Sequence, residues 1–274
     1  CATAPTRVET DLYASLPTDK ATYFGLDVAS AQSVLSSLLP EEVDLEAVTD
    51  RVRRVVGFTG AEGDIGAVAY GRFSPPFARI ILRRSGFERL DAPDWAPRRG
   101  YFVHGASGLY AVVIGPGAIA VGTKPPEEIL AAYASAVRPF GPIGDSTRFP
   151  VSLVSAADGA VVARFDRLRG VFAGPLARAS LAAGAASFVR SGEDTFSVDA
   201  ELWFADASAT GAYAALLRLT AATWLATRLS MERTRVRSGL SVRATDSGIR
   251  IALPPLSSEE IAAIVAYYAE RGME

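Results

Sequence analysis

The chain has 274 residues, 49% hydrophobic and 21% charged, which suits one large domain or two of ordinary size and excludes disordered, collagen-like and coiled-coil classes. With 28 Lys and Arg against 30 Asp and Glu, the formal charge of −2 supplies no global field for collecting nucleic acid. One cysteine allows no internal disulfide, and one cysteine with one histidine cannot assemble a zinc site of the usual kind, so no metal and no cofactor is expected.

The single cysteine is Cys1, followed by the small or polar residues Ala2, Thr3, Ala4, Pro5 and Thr6. This placement resembles a processed bacterial lipoprotein; the alternative source of such a cysteine is an arbitrary cut. The resemblance implies that a signal peptide has been removed, that Cys1 carries acyl chains, and that residues 1–12 are a tether. The partner it implies is a membrane, reached through the anchor at about 0.8 kcal/mol per buried methylene; an envelope protein is a further expected partner, through the arginines described below. The resemblance also implies a lipid-anchored place in the bacterial cell envelope, at the outer membrane or on the periplasmic side if the cell is double-membraned, with Ala2 of the kind associated with outer-membrane sorting.

Along the body of the chain, Asp27 is placed to cap a helix whose Val34, Leu35, Leu38 and Leu39 share one face before Pro40 stops it. Leu45, Val48, Val52 and Val55 continue at helical spacing. Residues 60–66 (GAEGDIG) have the glycine density of a phosphate loop, but no lysine follows and Ala67-Val68-Ala69-Tyr70 continues as a strand, which predicts a hairpin turn. Ser74 as N-cap with Pro75 at the first helical position opens the next helix, and Gly86 ends it. Residues 100–123 carry no formal charge if His104 is neutral, yet Gly105, Gly108, Gly115, Pro116 and Gly117 divide them into short strand-like runs. These predict an antiparallel meander and no membrane span. Residues 207–230 predict a largely buried helix of roughly 35 Å, in which Arg218 and Arg228 argue against a span.

A weak internal repeat is present. Residues 117–138 and 247–271 each read as a strand followed by a helix that opens with paired glutamates, setting Glu127, Glu128 and Ile129 opposite Glu259, Glu260 and Ile261. Residues 16–27 can be laid on 155–166, and the run from Glu62 on the run from Glu193. Duplication competes with the reading that two α+β domains with short strands simply look alike. The proline and glycine cluster from Pro139 supplies a boundary, giving a tether 1–12, a first repeat 13–138, a linker 139–150 and a second repeat 151–274. The expected fold class is α+β, with two similar halves that each cover a mainly antiparallel sheet with helices. The long helix around Trp224 is expected to be more buried than its first-half counterpart.

Among groups that could carry chemistry, His104 stands beside Gly105-Ala106-Ser107-Gly108 without a G-x-S-x-G elbow and reads as a hydrogen-bonded turn residue. Glu41, Glu42, Asp44, Glu46 and Asp50 read as the solvated face of a helix, and the paired glutamates as helix-start residues. Arg233, Arg235 and Arg237 alternate with Thr234 and Val236, which on a strand aligns three guanidinium groups, with Arg243 and Arg250 as neighbours. Such a row can bind a carboxylate, a phosphate or an acidic protein surface; otherwise it is an outward strand made soluble by arginine. No catalytic residue is assigned, and the inventory argues against an enzyme. The expected function is a lipid-anchored bacterial cell-envelope protein with a non-catalytic binding or structural role. The alternatives are a small-molecule binder using the cleft between the halves and a carboxylate-dependent hydrolase.

Overall fold

The structure, a computed structural model, describes residues 20, 22–38, 50–60, 63–91, 100–115, 117–125, 159–164, 181–204, 210–246 and 248–271. In chain order these form β1 (Thr22–Asp27), α1 (Gln32–Leu38), β2 (Val52–Thr59), β3 (Ile65–Gly71), α2 (Pro75–Arg84), β4 (Phe87–Leu90), β5 (Gly100–His104), β6 (Tyr110–Gly115) and β7 (Ala118–Gly122). They continue as β8 (Gly159–Arg164), β9 (Leu181–Gly192), β10 (Thr195–Phe204), α3 (Thr210–Arg228), α4 (Arg233–Gly239), β11 (Ser241–Ala244), β12 (Gly248–Ala252) and α5 (Ser258–Arg271). Cys1, its tether, Glu127, Glu128 and the stretch from Pro139 lie outside the described residues.

The architecture is α+β with antiparallel strand pairing, divided into two compact units. The units do not follow the chain linearly. Described residues up to Tyr23 and from Asp50 through β7 form the first, while Phe24 through α1 and everything from β8 form the second. The physical reason is in the packing of α1, whose Val34 joins Phe196, Leu225 and Leu256 in one buried cluster.

In the first unit the strand order is β2-β3-β7-β6-β5-β4. The turn between β2 and β3 closes with Thr59 opposite Ile65, as the glycine-rich stretch predicts. The uncharged segment forms the meander β5-β6-β7, paired Tyr101↔Val112 and Val112↔Ala120. Ser74 caps α2 by accepting from the Phe77 N–H, Pro75 follows, and Gly86 ends the turn at φ 80°. Ala78 and Leu82, one helical turn apart, bury against Phe102, Ala111 and Val113. A second cluster sets Tyr23 against Val56 and Val68. Asp64, 8% exposed, is compensated by Lys20 at 2.8 Å.

The second unit runs β11-β12-β10-β9-β8. The hairpin β9-β10 is long, and β10 pairs with β12 from Asp199↔Ala252 to Trp203↔Gly248. Alternation places Ile249 and Ile251 of β12 and Phe204 and Leu202 of β10 against Ala214, Tyr213 and Leu217 of α3. Phe196, Leu225, Met231, Val236, Leu240, Leu256 and Ile261 complete the core. Asp27 Oδ1 accepts from the Ser30 N–H and so caps the entry to α1, as expected.

Two local readings are corrected. Val52 and Val55 belong to β2, because their neighbours pair across to β3, Val52 with Gly71 and Val55 with Ala69. Helical spacing over a few valines does not outweigh β-branching and a strand partner. The long helix α3 is mostly at the surface: its buried residues are Thr210, Ala214 and Leu225, while Leu216 and Leu219 are exposed, Leu219 at 66%. It is proportionately no more buried than α2, because alanine makes a helix apolar all round without giving it a second packing partner. No helix among the described residues is long and apolar enough to cross a membrane.

Candidate functional site

The arginines singled out by alternation do not lie on a strand. Arg233–Gly239 is the helix α4, so Arg233 and Arg237 share a face and Arg235 points elsewhere. Val236 and Leu240, four residues apart, are buried in the second unit's core and pin the helix by its apolar side. That pair is the sequence signal that the arginine alternation obscured.

What brings α4 beside α3 is the connection between them. Ser230 adopts φ 51°, a left-handed conformation unusual for a residue with a Cβ. The Met231 N–H donates to the Leu225 carbonyl at 3.2 Å, and Met231 is buried at 4% exposure. The chain thereby turns out of α3, and a groove of about 490 Å³ opens between the two helices. From α3 it is lined by Arg218, Ala222 and Ala226, at successive four-residue steps, and by Thr223 and Thr227. From α4 come Arg233, Val236 and Arg237, and Leu240 follows directly after it.

The chemistry of this groove is simple. Thr223 Oγ1 donates to the Leu219 carbonyl at 2.9 Å and Thr227 Oγ1 to the Thr223 carbonyl at 2.8 Å, so both hydroxyl protons are committed to the helix. The groove's remaining side-chain donors are the guanidinium groups of Arg218, Arg233 and Arg237, for which no hydrogen bond or ion pair is seen among the described residues. Its floor is aliphatic. Arg218 was not singled out from the sequence as a site residue; its spacing of four from Ala222 and eight from Ala226 is the signal that marks it as part of one helical face.

Arg235 has a structural task instead. Its guanidinium grips Glu260 in a two-pronged pair at 2.7 and 2.8 Å and also donates to the Pro255 carbonyl. Glu260 in turn closes a capping box at the start of α5: its Oε2 accepts from the Ser257 N–H, and Ser257 Oγ accepts from the Glu260 N–H. Burial alone pushes the Glu260 carboxyl up, but the Arg235 hydrogen bond and the Ser257 contacts outweigh it and hold the group below its ordinary value. The helix-start reading of Glu260 is therefore correct, while Glu128 lies outside the described residues. Arg243 and Arg250 face one another across β11 and β12, with Arg250 paired to Glu201 at 2.7 Å, and neither lines the groove.

His104 and Ser107 do meet. The Ser107 N–H donates to His104 Nδ1 at 3.2 Å, and Ser107 Oγ lies 2.7 Å from the same nitrogen. Gly108, at φ 68°, closes the turn by donating to the His104 carbonyl, and Phe87 stacks obliquely on the imidazole at 5.2 Å. The contact sits on an exposed hairpin turn, which suits a hydrogen-bonded turn histidine.

No family model and no curated protein matches the chain. Solved structures do. The chain is similar to crystal form I of TP0453, with a TM-score of 0.65 at 13% identity over 94% of this chain and 97% of that one. Crystal forms III and IV of TP0453 give TM-scores of 0.64 and 0.63, both at 13% identity over 93% of this chain. The likeness covers nearly the whole of both chains and is one of fold.

Proposed function

We propose that this chain is a lipid-anchored protein of the bacterial cell envelope with a non-catalytic binding role. The observation that carries the reading is the groove between α3 and α4, which Arg218, Arg233 and Arg237 line together with aliphatic residues. Guanidinium groups recognise negative charge with directional donors, yet they hold their proton throughout the physiological range and cannot act as acid or base. Recognition is thus provided for at this place without proton transfer. Cys1 and the small polar residues after it supply the attachment. A position at the outer membrane or on the periplasmic side, in a double-membraned cell, is part of the same proposal.

The duplicated origin of the chain belongs to this reading too. In the first unit β2 pairs with β3, β3 with β7 and β7 with β6; in the second β9 pairs with β10, β10 with β12 and β12 with β11. That shared order supports two copies of one unit, of which the second carries the groove.

The test is fractionation of the native protein with intact-mass measurement of its N-terminus. Recovery in the membrane fraction with acyl mass on Cys1, and release of a folded body by Cys1→Ser, is the expected result. An unmodified thiol on protein from its own source overturns the anchor. An ester-hydrolysing activity lost in both His104→Ala and Ser107→Ala overturns the non-catalytic role.

A further inference from the structure

Resting on the binding role proposed above, we infer that the groove between α3 and α4 takes a small amphiphilic anion: a phosphate or carboxylate head group carried on an aliphatic tail. Its volume of about 490 Å³ lies within the range of roughly 300–1,000 Å³ typical of small-molecule sites. The polar recognition comes from one chemical type. Arg233 and Arg237 stand one turn apart on α4, Arg218 faces them from α3, and the neighbouring Thr223 and Thr227 have their hydroxyl protons engaged in the helix. Guanidinium forks pair with the acceptor oxygens of an anionic head. No carboxylate is among the described residues lining the groove, so none of them competes with such a head.

The rest of the lining selects for a tail. Val236 and Leu240 form a floor that is itself buried in the core, and Ala222 and Ala226 keep the opposite wall low enough for chain atoms to lie along it. A free inorganic anion would leave the apolar surface of the half-buried Ala222 and Ala226 and of the arginine stems wet, whereas a tail covers it at about 25 cal/mol per Å². A neutral amphiphile would cover it but leave the arginines unanswered. Both parts together therefore bind better than either alone. A protein partner suits the groove less well, since a standard interface covers about 800 Å² on each side and this is one ligand-sized trough.

The probe is octyl phosphate, titrated as monomer into the full-length protein, with inorganic phosphate and octyl glucoside as head-only and tail-only arms. Saturable one-to-one binding of octyl phosphate is expected, about tenfold or more tighter than either arm, and falling by a similar factor in the double variant Arg233→Ala/Arg237→Ala. Ala222→Leu, which fills the trough without touching charge, should weaken octyl phosphate but not inorganic phosphate. Arg243→Ala, exposed on β11 and outside the groove, should change nothing, and matching unfolding curves establish that the variants fold. Octyl phosphate binding no tighter than inorganic phosphate, or undiminished in the double variant, overturns the proposal. So does binding confined to anionic vesicles with none to the monomer, which would assign the arginines to a bilayer surface. Any of those failures alongside intact membrane recovery through Cys1 removes the ligand class while leaving the envelope role standing.

Discussion

The two units share the order of their first hairpin and closing strands and differ in what is inserted between them. After β3 the first unit inserts α2 and then β4 and β5, which add two strands beyond β6. After β10 the second inserts α3 and α4, and no described strand lies beyond β11. One insertion extends a sheet and buries Phe102 completely; the other leaves a trough edged with arginine. The sheet is thus a common support, and the candidate site belongs to the connection, which can vary without disturbing strand pairing.

The largest expected effects come from emptying the two cores. Phe102→Ala in the first unit should cost about 3–5 kcal/mol and Leu225→Ala in the second about 2–5 kcal/mol, read from denaturant midpoints. Amide exchange should rise in β5 and β6 for the first variant and in α3 and β10 for the second; identical patterns would break the division into units.

Val34→Ala sharpens the same division, because Val34 precedes the whole first unit's strands from β2 onward yet packs with Phe196 and Leu225. Removing two buried methyl groups should cost about 2 kcal/mol and raise exchange in the second unit. A rise in β2 and β3 instead would return α1 to the first unit.

Glu260→Gln keeps an oxygen for the Ser257 N–H but removes the charge that pairs with Arg235 in the second unit, at a cost of about 1 kcal/mol near neutral pH. Because the folded carboxyl titrates below its ordinary value of 4.5, its stabilisation is present above that pH and lost as the pH falls through the lower folded value. Wild-type and variant stabilities should therefore converge in acid; a constant gap would contradict the ion-pair account. The smallest effect is expected at the start of α2, where Ser74→Ala should lower the thermal midpoint by an amount matching about 0.5–1 kcal/mol, since its cap bond is long at 3.4 Å.

Local chemistry was legible in the sequence wherever it acts over a few residues. Asp27, Ser74-Pro75 and Gly86 mark helix ends by their own geometry, and the glycines of 100–123 cut the meander because they sit at its turns. The candidate site was legible only in composition. Arg233, Arg235 and Arg237 drew notice, but five alternating residues fit either period, and the deciding contacts of Val236 and Leu240 are made with residues distant in the chain. The turn at Ser230 is not legible in the sequence either, since no glycine announces the left-handed residue between α3 and α4. α3 is less buried than its composition predicts for a related reason: apolar content tells which residues tolerate a core, not which of them find one.

The most direct measurement is a heteronuclear NMR titration of the full chain with octyl phosphate, following the side-chain Nε–Hε groups of the arginines. Saturating shifts at Arg218, Arg233 and Arg237, with the exposed Arg79, Arg83 and Arg84 of α2 unmoved, are the expected result. Equal shifts on α2 and α4, or none on either, would contradict a site built by the second unit's insertion.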